Sequence, residues 1–451
     1  MGQYYSFFKA YDIRARVPDE LDAGMARRIG RAFVAHRQAK TVVVGRDMRL
    51  SSPELADALA DGLQQAGADV LDIGLCGTEE VYYATFNENA DGGIMVTASH
   101  NPRDYNGMKF VREQARPISA DTGLFDIEDL VHADDFTDAS PPGQRRPLDH
   151  RPGYIDFLIG QIDPARLRPL KIVANPGNGC AGLVMAELEK RLPFAVTRVH
   201  FEPDGELPNG IPNPLLPENR EATAAAVRAA GADLGLAWDG DFDRCFFFDE
   251  NGEFIEGYYL VGLIARMKLA LEPGARIVHD PRLTWNTIEL VEQMGGVPVQ
   301  SKSGHSFMKQ RMREEDAAYG GEMSAHHYFR SFAYADNGHL PWLLVAQLMS
   351  ETGQSLSSLV NERLAAFPAS GEINREIGDP DAALAGLQAH YAAQAERVEY
   401  VDGLSMEFPD WRFNLRKSNT EPVVRLNVET RADIGLMRTR TDELIGLLDQ
   451  Y

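Results

Sequence analysis

The fold follows from the stretch TVVVGRD at residues 41–47, a β-branched run that ends in turn residues. A helical pattern opened by SSPE at residues 51–54, which is similar to a capping box, comes next, and ADVLDIG at residues 68–74 has the composition of a second strand. The same order of strand, helix and strand recurs at residues 170–199 and 275–300. Short connections in this order are typical of largely parallel sheets. The sequence therefore predicts three related α/β domains.

Domain boundaries are expected where the composition changes. Residues 134–153 are rich in proline, glycine and charge, a turn lies near residues 251–252, and residues 368–381 have the composition of another connection. The remaining C-terminal segment has alternating apolar and polar runs between helical ends, which predicts a smaller α+β domain. The expected domains cover residues 1–150, 151–253, 254–368 and 369–451.

Composition limits the class of protein. The 451 residues are 44% hydrophobic and 25% charged, and 45 basic against 67 acidic residues give a net charge of −22. Such an acidic surface argues against nucleic acid and anionic membranes as partners, and an anionic substrate would need a locally basic pocket. The three cysteines lack CxxC spacing, which argues against a disulfide framework. Without an apolar N-terminal core or a run of about 18 apolar residues, we expect a soluble cytoplasmic protein.

The stretch DGDFDR at residues 239–244 lies between the apolar runs LGLAW and CFFF. In a strand or extended loop, Asp239, Asp241 and Asp243 would share one face. Carboxylates crowded between buried strands require neutralisation, and hard oxygen ligands favour Mg²⁺ or Ca²⁺ over zinc or copper. The alternative is a solvated acidic turn. We therefore predict a divalent cation here, with Arg244 as a neighbouring counter-charge.

The loop TASHNP at residues 97–102 follows an apolar strand, at the strand end where α/β sheets place ligands. Ser99 could be a nucleophile, or the loop could be a Ser or Asx turn that closes the strand. Adjacent side chains rarely face each other, so we do not expect Ser99 and His100 to pair. Lys109 follows in YNGMK, and taken alone it is expected to be a surface cation.

A further glycine motif, GNGCAG at residues 177–182, matches the G-x-G-x-x-G pattern of dinucleotide-binding sites. Pro176 separates it from the preceding strand, and no companion nicotinamide-binding signal is present. We interpret this motif as a structural turn.

Three polar loops occur in the second half of the chain. SKSGHS at residues 301–306 and GGEMSAHH at residues 320–327 combine carboxylate, hydroxyl and imidazole groups, which suit hydrogen bonding to sugar hydroxyls or proton transfer. RKSNTEP at residues 416–422 concentrates cations and hydroxyls, which suit a phosphate dianion. The alternatives are histidines with satisfied core or surface positions for the first two loops and an exposed polar hairpin for the third.

Together these loops resemble the α-D-phosphohexomutase family over essentially the whole chain. The order is the family's: a T-x-S-H-N-P phosphoserine loop, a D-G-D-x-D-R metal loop, a G-E-M-S-x-H sugar loop and an R-x-S-N-T-E-P phosphate loop. The stretch KAYDIR at residues 9–14 also resembles the N-terminal segment of this family. Phe242 departs from the pattern, because it replaces the middle glycine of the metal loop. The sugar loop is most similar to that of bacterial phosphomannomutases.

The resemblance implies a role for each matching residue. The implied catalytic residues are Ser99, His100, Lys109, Arg14, His305 and His326. The implied substrate-binding residues are Arg244, Arg282, Glu322, Ser324, Arg416, Ser418, Asn419 and Thr420. The implied metal ligands are Asp239, Asp241, Asp243 and Ser99.

The implied reaction interconverts mannose 6-phosphate and mannose 1-phosphate through phosphorylated Ser99 and a hexose 1,6-bisphosphate, which also serves as activator. Mg²⁺ is the implied cofactor, a small hexose phosphate is the partner, and the product feeds GDP-mannose synthesis. The resemblance further implies four domains around a central cleft in a monomer or weak dimer.

Alternatives remain open at this point. Phosphoglucomutase activity, alone or as a second activity, is the nearest one, because glucose and mannose differ only at the 2-hydroxyl. Phosphoglucosamine mutase is disfavoured by Met323. A Mg²⁺-dependent phosphatase would hydrolyse the phosphoserine, and a non-catalytic sugar-phosphate sensor would not need Ser99 or the aspartates.

Overall fold

The computed structural model describes residues 4–417 and 423–451. In it, the apolar runs of the sequence form strands and the amphipathic runs form helices, which pack in layers. The chain forms two compact units. Unit 1 contains the chain up to Phe254 and the segment Ser331–Gly353, and unit 2 contains Ile255–Arg330 and Gln354–Tyr451.

Unit 1 is built from two sheets with helices packed against them. Their strands within the unit are Ile13–Arg16, Thr41–Arg46, Asp69–Leu75, Gly92–Val96, Tyr105–Arg112, Arg116–Pro117, Arg145–Pro147, Lys171–Asn175, Ala195–Arg198, Leu234–Trp238 and Cys245–Phe248. The segment Ser331–Gly353 adds the two-residue strand Ala335–Asp336, which belongs to neither of these two sheets. Its α-helices are Ala23–Arg37, Ser52–Gln65, Thr78–Asn87, Leu124–Ala133, Arg151–Ile159, Ala181–Glu189, Glu221–Ala230 and Leu340–Thr352.

Both sheets of unit 1 are mixed. In the first, Thr41–Arg46 pairs in parallel with Asp69–Leu75 and with Gly92–Val96, whereas Tyr105–Arg112 pairs antiparallel with Gly92–Val96. In the second, Leu234–Trp238 is parallel to Lys171–Asn175 and antiparallel to the strand that follows it. Parallel strands joined through helices bring their carboxyl ends to one edge of each sheet, where loops can meet.

Two small residues set the helix packing on the first sheet. A Cβ on Gly62 would lie 2.0 Å from the carbonyl oxygen of Arg27, and one on Gly30 would lie 2.5 Å from that of Leu59. The helices Ala23–Arg37 and Ser52–Gln65 therefore contact each other backbone to backbone, and they cover an apolar core that includes Phe33.

Unit 2 contains a mixed sheet and an antiparallel sheet. Its strands are Arg276–His279, Val297–Gln300, Tyr319–Gly321, His327–Phe329, Ile373–Glu376, Arg397–Glu399, Leu404–Glu407, Trp411–Lys417 and Val423–Thr430. Its α-helices are Gly257–Leu271, Trp285–Gln293, His305–Glu314, Leu356–Ala366, Pro380–Tyr391 and Ile434–Leu448. A two-residue strand, Phe254–Ile255, spans the boundary between the units.

The predicted fold class is confirmed. Three strand–helix–strand repeats form mixed sheets, and the C-terminal strands form a wholly antiparallel sheet with its own core around Trp411 and Phe413. The three cysteines are buried and unpaired. Within residues 4–417 and 423–451, none of the helices combines the length and apolarity needed to cross a membrane.

Candidate active site

The two motif loops of unit 1 meet at the carboxyl ends of strands. Ser99 follows the strand Gly92–Val96, and the aspartate loop follows Leu234–Trp238. A Cβ on Gly240 would lie only 2.5 Å from the carbonyl oxygen of Ser99, so the two loops are in backbone contact. The resulting site is buried.

Ser99 lies in the left-handed region, with φ of 49°. Its Oγ donates to Asp239 Oδ2 at 2.9 Å and lies 3.0 Å from His100 Nδ1. The expectation that Ser99 and His100 would not pair is therefore wrong, because the unusual backbone turn brings adjacent side chains together. Burial and the nearby guanidinium groups of Arg244 and Arg14 lower the pKa of His100 well below its ordinary value, so its imidazole is neutral at neutral pH.

The three aspartates are buried and form one cluster, in which one oxygen of each lies within 4.8 Å of the others. The sequence analysis expected an extended chain there, but the chain forms a turn. Phe242 N instead donates to the Asp239 carbonyl at 3.1 Å, and Phe242 has a φ of 48°. A tight turn, rather than the alternation of a strand, gathers the carboxylates.

Two cations of the chain contact these carboxylates. Lys109 Nζ lies 2.6 Å from Asp241 and 2.5 Å from Asp243, and Arg244 Nη2 lies 2.6 Å from Asp239. Lys109 is thus part of the site, not a surface cation. Since Lys109 uses carboxylate oxygens that a metal ion would also use, lysine pairing and metal binding compete there.

The pKa values of two aspartates in the cluster are shifted in opposite directions. Burial and the neighbouring carboxylates raise the pKa of Asp239 to about 6 against the effect of Arg244. Burial also opposes the ionisation of Asp241, but Lys109 and Arg14 outweigh it and lower the pKa of Asp241. Among the described residues, the buried Asp241 Oδ1 has no hydrogen-bond partner. An orphaned carboxylate oxygen among hard oxygen donors fits a divalent cation.

Arg14 reaches the same loop from the first strand. Its guanidinium donates twice to Asp12 Oδ2, at 2.7 and 2.9 Å, and once to Asn101 Oδ1, at 3.1 Å. Asp12 therefore orients Arg14 against the Ser99 loop.

Sequence reasoning missed Arg49. This buried guanidinium donates to the carbonyl oxygens of Ser99, Asn101, Pro102 and Tyr105 at 2.6 to 3.0 Å, so it holds the serine loop in place. The position of Arg49 in the sequence could have indicated this role, because Arg49 comes just after the strand Thr41–Arg46, at the sheet edge where the serine loop also lies.

In unit 2, Glu322 is the centre of the predicted sugar loop. It accepts hydrogen bonds from Gly304 N at 2.8 Å and from Tyr328 Oη at 2.6 Å, and His326 Nδ1 lies 3.3 Å away. Although burial opposes its ionisation, His326 and Arg282 hold the pKa of Glu322 well below its usual value. Glu322 is therefore an ionised acceptor.

The other predicted residues of this region lie around Glu322. Ser324 Oγ lies 3.3 Å from His326 Nδ1 and 3.4 Å from Arg282 Nη2, and Arg282 is oriented by Asp280 at 2.5 Å. His305 begins the helix His305–Glu314 directly after Gly304. The structure thus brings Arg282, Ser324 and His326 together around Glu322.

A second cluster of unit 2 surrounds the carboxylate of Glu372. Arg416 lies 3.0 Å from it, and Arg282 and Arg425 each lie 3.4 Å from it. Arg416 and Arg425 are also directly opposite each other on paired strands. Sequence reasoning missed Arg425. The predicted residues Ser418, Asn419 and Thr420 lie outside the described residues.

Family models match along the chain in the order of the motifs. The phosphoglucomutase/phosphomannomutase alpha/beta/alpha domains I, II and III match residues 6–138, 152–252 and 256–367, and the C-terminal domain of the same family matches residues 372–444.

Full-length relatives give the same result. The chain is 60% identical over 441 residues to proteins named phosphohexose mutases in Xanthomonas campestris pv. campestris, and 60% identical over 450 residues to a phosphomannomutase of Salmonella typhimurium. These alignments cover 98% of this chain and 98% and 99% of the relatives. A crystal structure of a phosphoglucomutase/phosphomannomutase family protein from Burkholderia thailandensis superimposes with a TM-score of 0.89 at 34% identity, covering 100% of this chain and 98% of that one. The chain therefore belongs to the phosphoglucomutase/phosphomannomutase family, and it is an enzyme of the phosphohexomutase type.

Proposed function

We propose that the enzyme interconverts mannose 6-phosphate and mannose 1-phosphate through a phosphoserine at Ser99. The observation that carries this proposal is the hydrogen bond from Ser99 Oγ to Asp239, which places a hydroxyl directly against the buried carboxylate cluster. The preference for mannose is supported by the names of relatives that are 54–60% identical over nearly the full chain.

Ser99 would carry a phosphoryl group and donate it to the free hydroxyl of a hexose monophosphate. The bond from phosphorus to Ser99 Oγ breaks as a bond to the sugar oxygen forms, and the proton of the sugar hydroxyl ends on Ser99 Oγ. In the second half-reaction the bond between the other phosphorus of the hexose 1,6-bisphosphate and its sugar oxygen breaks as a bond to Ser99 Oγ forms, and the Ser99 proton ends on that sugar oxygen. Each turnover thus exchanges the phosphorylated position of the sugar and regenerates the phosphoserine.

The groups of unit 1 suit this transfer. Asp239 and His100 contact Ser99 Oγ and orient it, while Lys109, Arg244 and Arg14 bring positive charge to the place where phosphoryl oxygens would lie. Asp239, Asp241 and Asp243, with the phosphorylated Ser99, would hold Mg²⁺. When bound, that ion would neutralise charge on the transferring oxygens.

The groups of unit 2 suit recognition of the sugar phosphate. Glu322 and Ser324 offer acceptors for sugar hydroxyls, and the proposed proton-transfer groups are His305 and His326. Arg416 would bind the non-reacting phosphate together with Ser418, Asn419 and Thr420. We add Arg425, because it pairs with the same Glu372 carboxylate as Arg416 and so brings a second guanidinium to this place.

The remaining expectations are part of this proposal. We propose the four domain boundaries stated above, a cytoplasmic enzyme that is a monomer or weak dimer, activation by hexose 1,6-bisphosphate, and supply of mannose 1-phosphate for GDP-mannose synthesis.

Phosphorus NMR of the reaction mixture tests the proposal. Purified enzyme with Mg²⁺ and a trace of mannose 1,6-bisphosphate should convert mannose 1-phosphate into mannose 6-phosphate. Faster conversion of glucose 1-phosphate would favour the phosphoglucomutase alternative. Inorganic phosphate as the main product would favour a phosphatase, and no turnover of either sugar would favour a sensor.

A further inference from the structure

The metal loop contains one residue whose backbone conformation is unusual for its type. Phe242 has a φ of 48°, a region that bulky side chains rarely adopt. Its side chain is nevertheless fully buried. Residues held in such conformations persist only when their surroundings determine them, so the contacts of the ring must maintain this turn.

The ring of Phe242 fills a space left by a glycine. A Cβ on Gly77 would lie 2.0 Å from Phe242 Cε1 and 2.4 Å from its Cδ1 and Cζ, so any side chain at position 77 would overlap the ring. On another side, the His339 ring lies 5.3 Å from the Phe242 ring, centroid to centroid, at 67°. A Cβ on Gly338 would lie 2.2 Å from the Phe242 carbonyl oxygen.

The same part of unit 1 also holds the neighbouring aspartate. Thr78, the residue after Gly77, donates its backbone N–H to the Asp241 carbonyl at 3.1 Å and its hydroxyl to Asp241 Oδ2 at 2.6 Å. The start of the helix Thr78–Asn87 therefore holds the metal loop twice, through Asp241 and through the ring of Phe242.

We propose that Phe242 is a positioning residue for the cation site, and that Gly77 and Phe242 are a size-matched pair. The ring fixes the turn between Asp241 and Asp243, and so fixes the spacing of their carboxylates. A glycine at position 242 would adopt the same φ without strain, but it would lose the contacts with Gly77 and His339. This inference rests on the proposed function only in taking the aspartates as cation ligands.

The test is the binding of Mn²⁺ to the metal-free enzyme without substrate, measured from the electron paramagnetic resonance signal of free Mn²⁺. We expect Phe242→Gly to raise the dissociation constant about tenfold, which is within the range found for residues that orient ligands. Phe242→Leu, which keeps most of the bulk, should recover most of that loss. Circular dichroism at the same temperature confirms that each variant is folded.

The paired substitution separates positioning from a general loss of stability. Gly77→Ala should also weaken Mn²⁺ binding, because its methyl group displaces the ring. In the double variant Gly77→Ala/Phe242→Gly the methyl group has room, so Mn²⁺ should bind no more weakly than to Phe242→Gly alone. Gly446→Ala is the matched control, because a Cβ there meets no atom within 4 Å.

Three results would overturn the inference. Wild-type affinity in Phe242→Gly, or losses that add in the double variant, would remove the role of Phe242 and leave the proposed reaction intact. A wild-type enzyme that binds no Mn²⁺ would overturn this inference and the cation assignment together. A failure of mannose phosphate conversion alone would not change the result of this binding assay.

Discussion

The two polar regions of the molecule balance charge in opposite ways. In unit 1, three carboxylates share one buried cluster with Lys109 and Arg244. In unit 2, the single carboxylate of Glu372 is shared by Arg282, Arg416 and Arg425. A cluster rich in carboxylates attracts a cation, and a cluster rich in arginine attracts an anion. This difference supports the proposal that the first region carries the transfer chemistry and the second binds phosphate.

Removing the hydroxyl of Ser99 should have the largest effect. Because Ser99→Ala leaves no oxygen to carry the phosphoryl group, we expect turnover to fall at least about a thousandfold. The measurement is the steady-state rate with mannose 1-phosphate, and the exposed Ser358→Ala is the matched control. If Ser99→Ala retained more than a tenth of the activity, Ser99 would not carry the phosphoryl group, and the proposed role of unit 1 would be contradicted.

Removing one charge from the aspartate cluster should have the next largest effect. In Asp241→Asn the orphaned carboxylate oxygen loses its charge, so the Mg²⁺ concentration for half-maximal activity should rise about a hundredfold. Asp61→Asn, on the surface, should leave it unchanged. An unaltered Mg²⁺ titration of Asp241→Asn would contradict the assignment of unit 1 as the cation region.

Removing one arginine from unit 2 should change binding more than turnover. We expect Arg425→Gln to raise KM for mannose 1-phosphate about tenfold, which corresponds to about 1.4 kcal/mol, with kcat within about twofold of wild type. The exposed Arg438→Gln is the control. If kcat fell while KM stayed the same, Arg425 would belong to the chemistry and not to phosphate recognition.

A buried carboxylate beside the first region should affect stability and not turnover. Glu80 accepts hydrogen bonds from His150 at 2.8 Å and Arg151 at 2.9 Å, which lower its pKa to about 2 against the effect of burial. A lowered folded-state pKa stabilises the protein above about pH 4.5, and this contribution is lost as the pH falls toward 2.

Urea unfolding measures this effect. We expect Glu80→Gln to lower the free energy of unfolding by about 3 kcal/mol at pH 7, and by less as the pH falls below about 4.5. Glu88→Gln, at the exposed end of the same helix, should have little effect. A difference between Glu80→Gln and wild type that does not change with pH would contradict this explanation.

Local patterns predicted the architecture well. The strand, helix and strand predicted within residues 275–300 are found at Arg276–His279, Trp285–Gln293 and Val297–Gln300. These elements follow from β-branched runs and apolar periodicity, which are encoded by neighbouring residues. The motif order likewise identified the family.

The geometry of the site depends on contacts between distant residues and could not be predicted in the same way. The turn at Phe242 is maintained by Gly77, and Lys109 reaches Asp241 and Asp243 from another sheet. The pairing of Ser99 with His100 follows from a left-handed backbone that no local pattern in the sequence marks. Side-chain spacing alone therefore identified the groups but not their partners.

The fate of one phosphate tests the central claim most directly. Dephosphorylated enzyme is mixed with mannose 1,6-bisphosphate and Mg²⁺, quenched within a single turnover, and digested for peptide mass spectrometry, while the sugars are separated by chromatography. The account predicts phosphate on Ser99 together with release of both mannose 1-phosphate and mannose 6-phosphate. Unmodified Ser99 accompanied by inorganic phosphate, or phosphate on a different residue, would contradict it.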